Sequence, residues 1–440
     1  MILAASASKW LQSGPRSAID QFEGNPIQRN LFSVLLAIGI MVLLWRGQKL
    51  ITLLRMNAPI LLFFSYCAVS IVWSDYPDVA LRRWIKALGD LVMVMIILTD
   101  PEPLAALKRF LARTGFLLVP VSVLLIKYYP DLGMAYKSAD GSRVFEGVTN
   151  DKNMLGVICL LIGLGAVWRI LQEFRDRGYR RSNRALIAHG VILAMVLWLF
   201  WYANSMTSLA CFVMGSGLML ATSFPLLARR PWVVHIVVMA MLAVATLALF
   251  PELGGSLMKT LGRDATLTGR TELWKEIISM NTNPLLGTGF ENFWMGPRLD
   301  TIWSKHWWHP NEAHNGYLEV FLNLGWAGVA LLAIVIVTGY RHAMGMLRKD
   351  PEAGRLMLAY FVVGVIYSFS EAGFRLLNPV WICFMMAAIA VPKTPVPKTS
   401  AARESLAEAT TQNFELRKFK ENRSGEVARC KSLSGSLGQW

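Results

Sequence analysis

About eleven apolar runs, separated by short polar segments, set what this chain can fold into. They fall at residues 31–45, 58–73, 84–98, 114–128, 154–171, 185–202, 206–227, 232–250, 317–340, 356–370 and 376–391. A helix needs roughly 20 apolar residues to cross the hydrocarbon, so the shorter runs require flanking residues to complete them. Lipid offers no partner to an exposed backbone N–H or C=O, whereas a helix satisfies its own. The expected fold class is therefore an all-α polytopic membrane protein with about 11–12 transmembrane helices. Hydrophobic residues make up 54% of the 440 and charged residues 17%, with a mean hydropathy of +0.42, which excludes a soluble multi-domain chain.

Charge placement gives the orientation. Most of the 44 Lys and Arg residues lie in segments 46–57, 99–113, 172–184, 228–231, 341–355 and the tail after Pro392, which alternate along the chain and are expected to face the cytoplasm. The net charge of +15 is thus a topology signal, and nucleic-acid binding is excluded on that distribution. The expected organisation is a polar N-terminal segment 1–30 without a cleavable signal pattern, helices with short loops over 31–250, a large outer loop over 251–316, C-terminal transmembrane helices over 317–391, and a cytoplasmic tail 392–440 of disordered composition. Cys67, Cys159, Cys211 and Cys383 sit in apolar runs and Cys430 in the tail, so neither a disulfide framework nor a thiolate metal site is implied.

The polar outer loop is where chemistry is expected. The topology bias works against basic residues on this side, yet Arg82, Arg83, Arg143, Lys152, Arg263, Arg270, Arg298 and Arg375 stand there. They either pair with local acids such as Asp264 and Glu272 or wait for an anion. Thr268 or Thr271 can cap a helix near Arg270, with Leu273, Trp274, Ile277 and Ile278 on one face, ended by Asn283 and Pro284. Its apolar face is expected at the headgroup boundary or on the bundle, leaving Arg270 in the first turn, where backbone N–H groups and a guanidinium suit a phosphate. Gly287 and Gly289 mark a tight return or an ordinary turn.

Trp274, Trp294, Trp303, Trp307 and Trp308 share the loop, as interfacial anchors or, best at Trp307 and Trp308, as platforms for sugar rings. His306, His309 and His314 follow closely. No H-E-x-x-H and no nearby thiolate accompany them, so no metal is expected; an acid–base or hydroxyl-orienting role suits an imidazole, and capping a helix near Asn315 is the structural alternative for His314.

These residues carry a resemblance. G-R-x-x-x-W at 269–274, N-P-L-L-G-x-G-F at 283–290, H-N-G-Y-L-E at 314–319 and L-G-W-A-G at 324–328 resemble, in that order, the bacterial O-antigen ligase and polysaccharide polymerase superfamily. T-N-D-K-N-x-L-G at 149–156 resembles its exopolysaccharide polymerase branch. The resemblance implies a metal-independent, inverting, GT-C-like glycosyltransferase of the bacterial inner membrane, without a cofactor, whose site faces the periplasm on a large, partly helical loop. Its donor would be an oligosaccharide on undecaprenyl diphosphate. The acceptor would be another lipid-linked glycan in a polymerase, which the 149–156 string favours, or a lipid A core sugar in a ligase. The family's Arg residues match at Arg270 and Arg263, and its loop-end His at His314.

A departing diphosphate is strongly anionic, so preorganised guanidiniums lower the barrier. Arg270 is placed there first, with Arg263, Lys152 and Arg375 as further diphosphate-binding candidates. His314 would orient or deprotonate the acceptor hydroxyl; Glu319 could steady the imidazole, but a structural role suits it better. A transporter or flippase of lipid-linked saccharide is the reading from another class. Its one sequence feature is Lys86 and Asp90, a charge pair one turn apart within an apolar run, for which a structural pair on one helix face is the alternative.

Overall fold

The computed structural model describes residues 26–136, 141–175, 183–224, 230–249, 268–281 and 283–391. The tail 392–440, most of the N-terminal segment and Arg263 lie outside the described residues.

The chain is an all-α polytopic membrane protein, and each apolar run, as far as it is described, lies mostly on one helix. In order these are α1 (Pro26–Trp45), α2 (Gly47–Met56), α3 (Ala58–Val69), α4 (Pro77–Leu98), α5 (Pro103–Tyr128) and the short α6 (Pro130–Gly133). A small antiparallel hairpin follows, β1 (Met134–Tyr136) pairing with β2 (Arg143–Phe145). Then come α7 (Lys152–Arg175), α8 (Asn183–Ala203), α9 (Met206–Ala221), α10 (Pro231–Leu249), α11 (Thr268–Ser279), α12 (Gly296–Lys305), α13 (Gly316–Lys349), α14 (Pro351–Ser370) and α15 (Pro379–Ala388).

Among the described residues, α5, α7, α8, α13 and α14 are each long and apolar enough to cross a membrane. The stretches Arg29–Trp45 and Gly47–Met56 pass that test together across a 95° bend. Of the remaining apolar runs, one lies on the 22-residue α4 and the others form shorter helices; the 16 residues of α9 reach only about 24 Å at 1.5 Å per residue.

The bundle is built around α14. In its membrane window 89% of residues are buried, because it is apolar on every face and neighbours close on all sides. It packs against α7, α9, α10, α13 and α15. At its start, Glu352 receives Lys108 of α5 (2.7 Å) and Gln172 of α7 (2.5 Å). Its far end delivers Glu371, and Glu291, Glu312, His314 and Arg375 gather at that same end.

Two of the sequence strings form one structural unit. Helix α13 is broken at Gly325 (φ 63°, ψ −167°), a conformation open almost only to glycine, so it runs as 316–324 and 326–349. A break in a spanning helix strands backbone groups that lipid cannot satisfy. Residues 283–290 supply the partners. The N–H groups of Trp326 and Ala327 donate to the carbonyls of Pro284 (2.9 Å) and Leu285 (3.1 Å). Thr288 and Gly289 in turn donate to Leu322 (3.1 Å) and Asn323 (2.8 Å). A Cβ on Gly287 would strike the Asn323 backbone, so this glycine is required by close approach, and N-P-L-L-G is the lid of a helix break.

One expectation narrows and two change. The apolar face of α11 lies on a core shared by the loop and the bundle helix α13: Leu273 and Ile277 are fully buried with Phe293, Ile302 and, from α13, Leu322, while Ile278 stays exposed. Asn315, rather than His314, caps α13, its side chain accepting from Tyr317 and Leu318 (both 3.0 Å). Asp90 makes no ion pair with Lys86 among the described residues. It accepts the Leu377 N–H (2.7 Å) and so pins the strained 371–378 turn, where Leu377 sits at φ 59°.

Gly325→Ala is expected to lower the thermal unfolding midpoint of the detergent-purified protein, at a cost of about 1–3 kcal/mol for the backbone conformation alone. The added Cβ would also meet the Leu285 carbonyl. Gly217→Ala in α9, where a Cβ meets nothing, is the control. Equal midpoints for the two variants would contradict the role assigned to the break.

Candidate functional site

Three chain segments bring their charged groups to the C-terminal end of α14. The helix α11 carries Arg270 in its first turn. The Asn315 cap fixes the turn before α13, leaving His314 immediately outside the helix at φ 49°. The end of α14 sets Glu371, with the polar turn 371–378 behind it.

The Glu371 carboxylate joins the other two. Arg270 Nη2 lies 3.5 Å from its Oε1, and His314 Nδ1 lies 3.0 Å from its Oε2. Arg270 Nη1 also donates to the Ser370 carbonyl (2.8 Å), a cation on the negative end of α14. On the other side His314 Nδ1 is 3.0 Å from Glu312 Oε1. Arg375 closes the arrangement, its Nη1 3.3 Å from Glu312 Oε2 and its Nε 3.3 Å from Glu291 Oε2. Arg83 of α4 donates to the Glu291 carbonyl. The site is thus a chain of alternating charge, Arg270–Glu371–His314–Glu312–Arg375–Glu291.

Alternation sets the protonation. Desolvation works against the His314 imidazolium, but hydrogen bonds and charge from Glu312 and Glu371 outweigh it and hold the ring at about 9. Glu312 keeps some solvent access yet is crowded by protein. That desolvation would raise its carboxyl, but His314 and Arg375 bring it down to about 2. Asp151, which accepts the Asn153 and Met154 N–H groups at the start of α7 (2.7 and 2.9 Å), lies within electrostatic range. Its carboxyl is raised by desolvation despite those N–H groups, with Glu312 and Glu371 adding to the effect.

The structure therefore brings Arg270, His314 and Arg375 together. Lys152 stands apart from them, in a cleft beside β2. The tryptophans separate by contact. Trp274, Trp294 and Trp303 spend their indole N–H groups on Ala313, Glu319 and Pro310, and so hold the loop. Trp308 lies near-parallel to the His314 ring (26° between planes, centroids 6.3 Å apart), and Trp307 is 75% exposed. Among the described residues neither of those two indoles makes an N–H hydrogen bond.

Glu319 does not steady the imidazole. It accepts from Trp294 and the Ala313 N–H, fixing the turn before His314 from below. Its role is structural, and the imidazole is held by Glu312 and Glu371, which the sequence reading missed. The available signal was an acid directly after an apolar run, with Arg375 one turn on. They also create a set the histidine spacing did not show: His314 Nδ1 and one oxygen each of Glu312 and Glu371 lie within 4.8 Å of one another and could hold a metal ion. Arg270 and Arg375 already occupy the outer oxygens of those carboxylates. A proton on His314, shared between them, fits the surrounding positive charge better than a divalent cation does.

Comparison with known proteins follows the same lines. A family model described as O-antigen ligase matches residues 178–333, the segment that holds Arg270, His314 and both halves of the α13 break. The exopolysaccharide production protein ExoQ of Rhizobium meliloti (strain 1021) is 23% identical over 348 residues, covering 77% of each chain. With the helical bundle and the ordered motifs, these matches make the chain similar to the O-antigen ligases and to an exopolysaccharide production protein.

Proposed function

We propose that this protein is an inverting, metal-independent glycosyltransferase of the inner membrane, acting at its periplasmic face and polymerising lipid-linked repeat units. The observation that carries the proposal is that Arg270 and His314, from opposite ends of the outer loop, meet on the two oxygens of Glu371. The donor is a glycan on undecaprenyl diphosphate. Arg270 spends only part of its five-donor fork on Glu371 and Ser370, leaving N–H groups beside the α11 N-terminus for a diphosphate.

In the reaction the acceptor hydroxyl oxygen attacks the anomeric carbon from the face opposite the diphosphate. A C–O bond forms to the acceptor, the anomeric C–O bond to phosphate breaks, and undecaprenyl diphosphate leaves with the electron pair. The hydroxyl proton passes to His314 Nε2, since Nδ1–H is committed to Glu371 and Glu312. Arg270 stabilises charge that grows as the bond breaks. Trp307 and Trp308 offer stacking faces to the sugars beside that nitrogen. Arg375, held by two carboxylates, shapes the site. The polymerase reading draws on the exopolysaccharide relative and the 149–156 string. The ligase reading, with a lipid A core sugar as acceptor, draws on the family description.

Arg270→Ala should lower turnover of lipid-linked substrate by roughly 10²–10³-fold with the protein still folded in detergent. His314→Ala should lower it by roughly 10²–10⁴-fold. Wild-type rates in either variant would remove the role assigned to it.

Because His314 must be neutral to accept a proton and is held at about 9, kcat/KM should climb about tenfold per pH unit from pH 6 and level near 9. Glu371→Gln should move that rise to lower pH, since one of the two charges holding the proton is gone. A profile that falls above pH 9, or one unmoved by Glu371→Gln, contradicts the base.

Activity should persist in EDTA. Loss that added divalent metal restores would reassign Glu312, His314 and Glu371 to a cation.

A further inference from the structure

A second cationic site stands apart from the His314 cluster, between α5, α8 and the β1–β2 hairpin. Two adjoining cavities there, of about 680 and 390 Å³, share Arg143, Phe145 and Tyr202 in their walls. The first has an apolar floor formed by Val123 and Ile126 of α5, Met134 of β1, and Met195 and Trp198 of α8. The second opens to Lys152 and Trp201, the latter 84% exposed. Phe145, Tyr202 and Trp198 follow one another along the wall, the first pair edge-on and the second tilted, with centroids 4.8 and 4.3 Å apart.

The rim is basic. Lys127, Arg143 and Lys152 line it, and none has a carboxylate partner among the described residues; Lys127 lies over the Tyr128 ring at 5.2 Å. This is the end of the bundle where topology disfavours basic residues, so three unneutralised cations around one mouth call for an anion. The floor descends along lipid-facing helices, so the occupant has an apolar tail beneath its anionic head. Lys152 directly follows Asp151, which is close enough to Glu312 and Glu371 to feel their charge. The mouth therefore opens beside the His314 cluster without overlapping it.

We propose that this cleft holds a second polyprenyl diphosphate, the carrier of the acceptor glycan. The proposal rests on the polymerase reading above. Polymerisation joins two lipid-linked glycans, so two carriers must be seated together. The acceptor's own diphosphate is separated from its attacking hydroxyl by a repeat unit, and its site must stand away from Arg270. Lys127, Arg143 and Lys152 take the diphosphate, the α5–α8 floor takes the first isoprene units, and the glycan reaches past Lys152 toward His314. The acceptor's lipid bonds are untouched by the transfer.

Native mass spectrometry of the full chain in detergent, titrated with undecaprenyl diphosphate, tests this. The wild type should retain two copies. Arg143→Glu should weaken one of them at least tenfold, and Ala194→Trp, which fills the cleft's floor without changing charge, should remove the same copy. Arg270→Ala should remove the other. An excess of dioleoyl phosphatidylglycerol should displace neither. A single copy in the wild type, two copies surviving in either cleft variant, or displacement by phosphatidylglycerol would overturn the second site. Two copies surviving only in Arg270→Ala would leave the cleft standing and overturn the donor assignment instead.

Discussion

A carboxylate at the end of the most buried helix governs this protein. Glu371 cannot sit at the top of α14 uncompensated, because burying an unpaired charge costs several kcal/mol. It is compensated from both sides, by a guanidinium carried on α11 and an imidazolium held just ahead of α13. The same requirement recurs outward, so Glu312, Arg375 and Glu291 follow in alternation. Removing one member leaves its neighbours with unbalanced charge, so the site is expected to respond as a unit.

The broken helix α13 is the second constraint, and it serves the first. Opening at Gly325 lets residues 283–290 pack into the break, and Asn323 then receives the N–H groups of Asn292 (2.8 Å) and Phe293 (3.0 Å). That packing fixes the loop core of Leu273, Ile277, Phe293 and Ile302, on which α11 rests. Arg270 is thus positioned by a helix break some way along the chain, and the break is positioned by glycines that admit no side chain.

Much of this was legible in the sequence because the signals were local. Apolar runs gave helices, since nothing else hides its backbone in lipid, and Thr268, Asn283 and Pro284 bounded α11 closely. Arg270 and His314 stood out as polar groups in a chain with few. What was not legible depended on pairing across distance. Glu371 looked like an ordinary loop acid, and only the fold shows it between Arg270 and His314. Lys86 and Asp90, one turn apart, suggested a pair, yet Asp90 serves the Leu377 backbone instead. Periodicity also showed that α11 has an apolar face without showing what covers it. Here the cover is a core that the loop shares with α13.

The claim on which the account turns is that one lipid-linked diphosphate lies against Arg270 while the reacting sugar reaches His314. Electron cryomicroscopy of the full chain with a non-transferable donor analogue bound would measure this directly. The account predicts phosphate density in contact with the Arg270 guanidinium at the start of α11, and the anomeric carbon on the side of His314 Nε2. Diphosphate density at another end of the bundle, or a sugar out of reach of that imidazole, would contradict it.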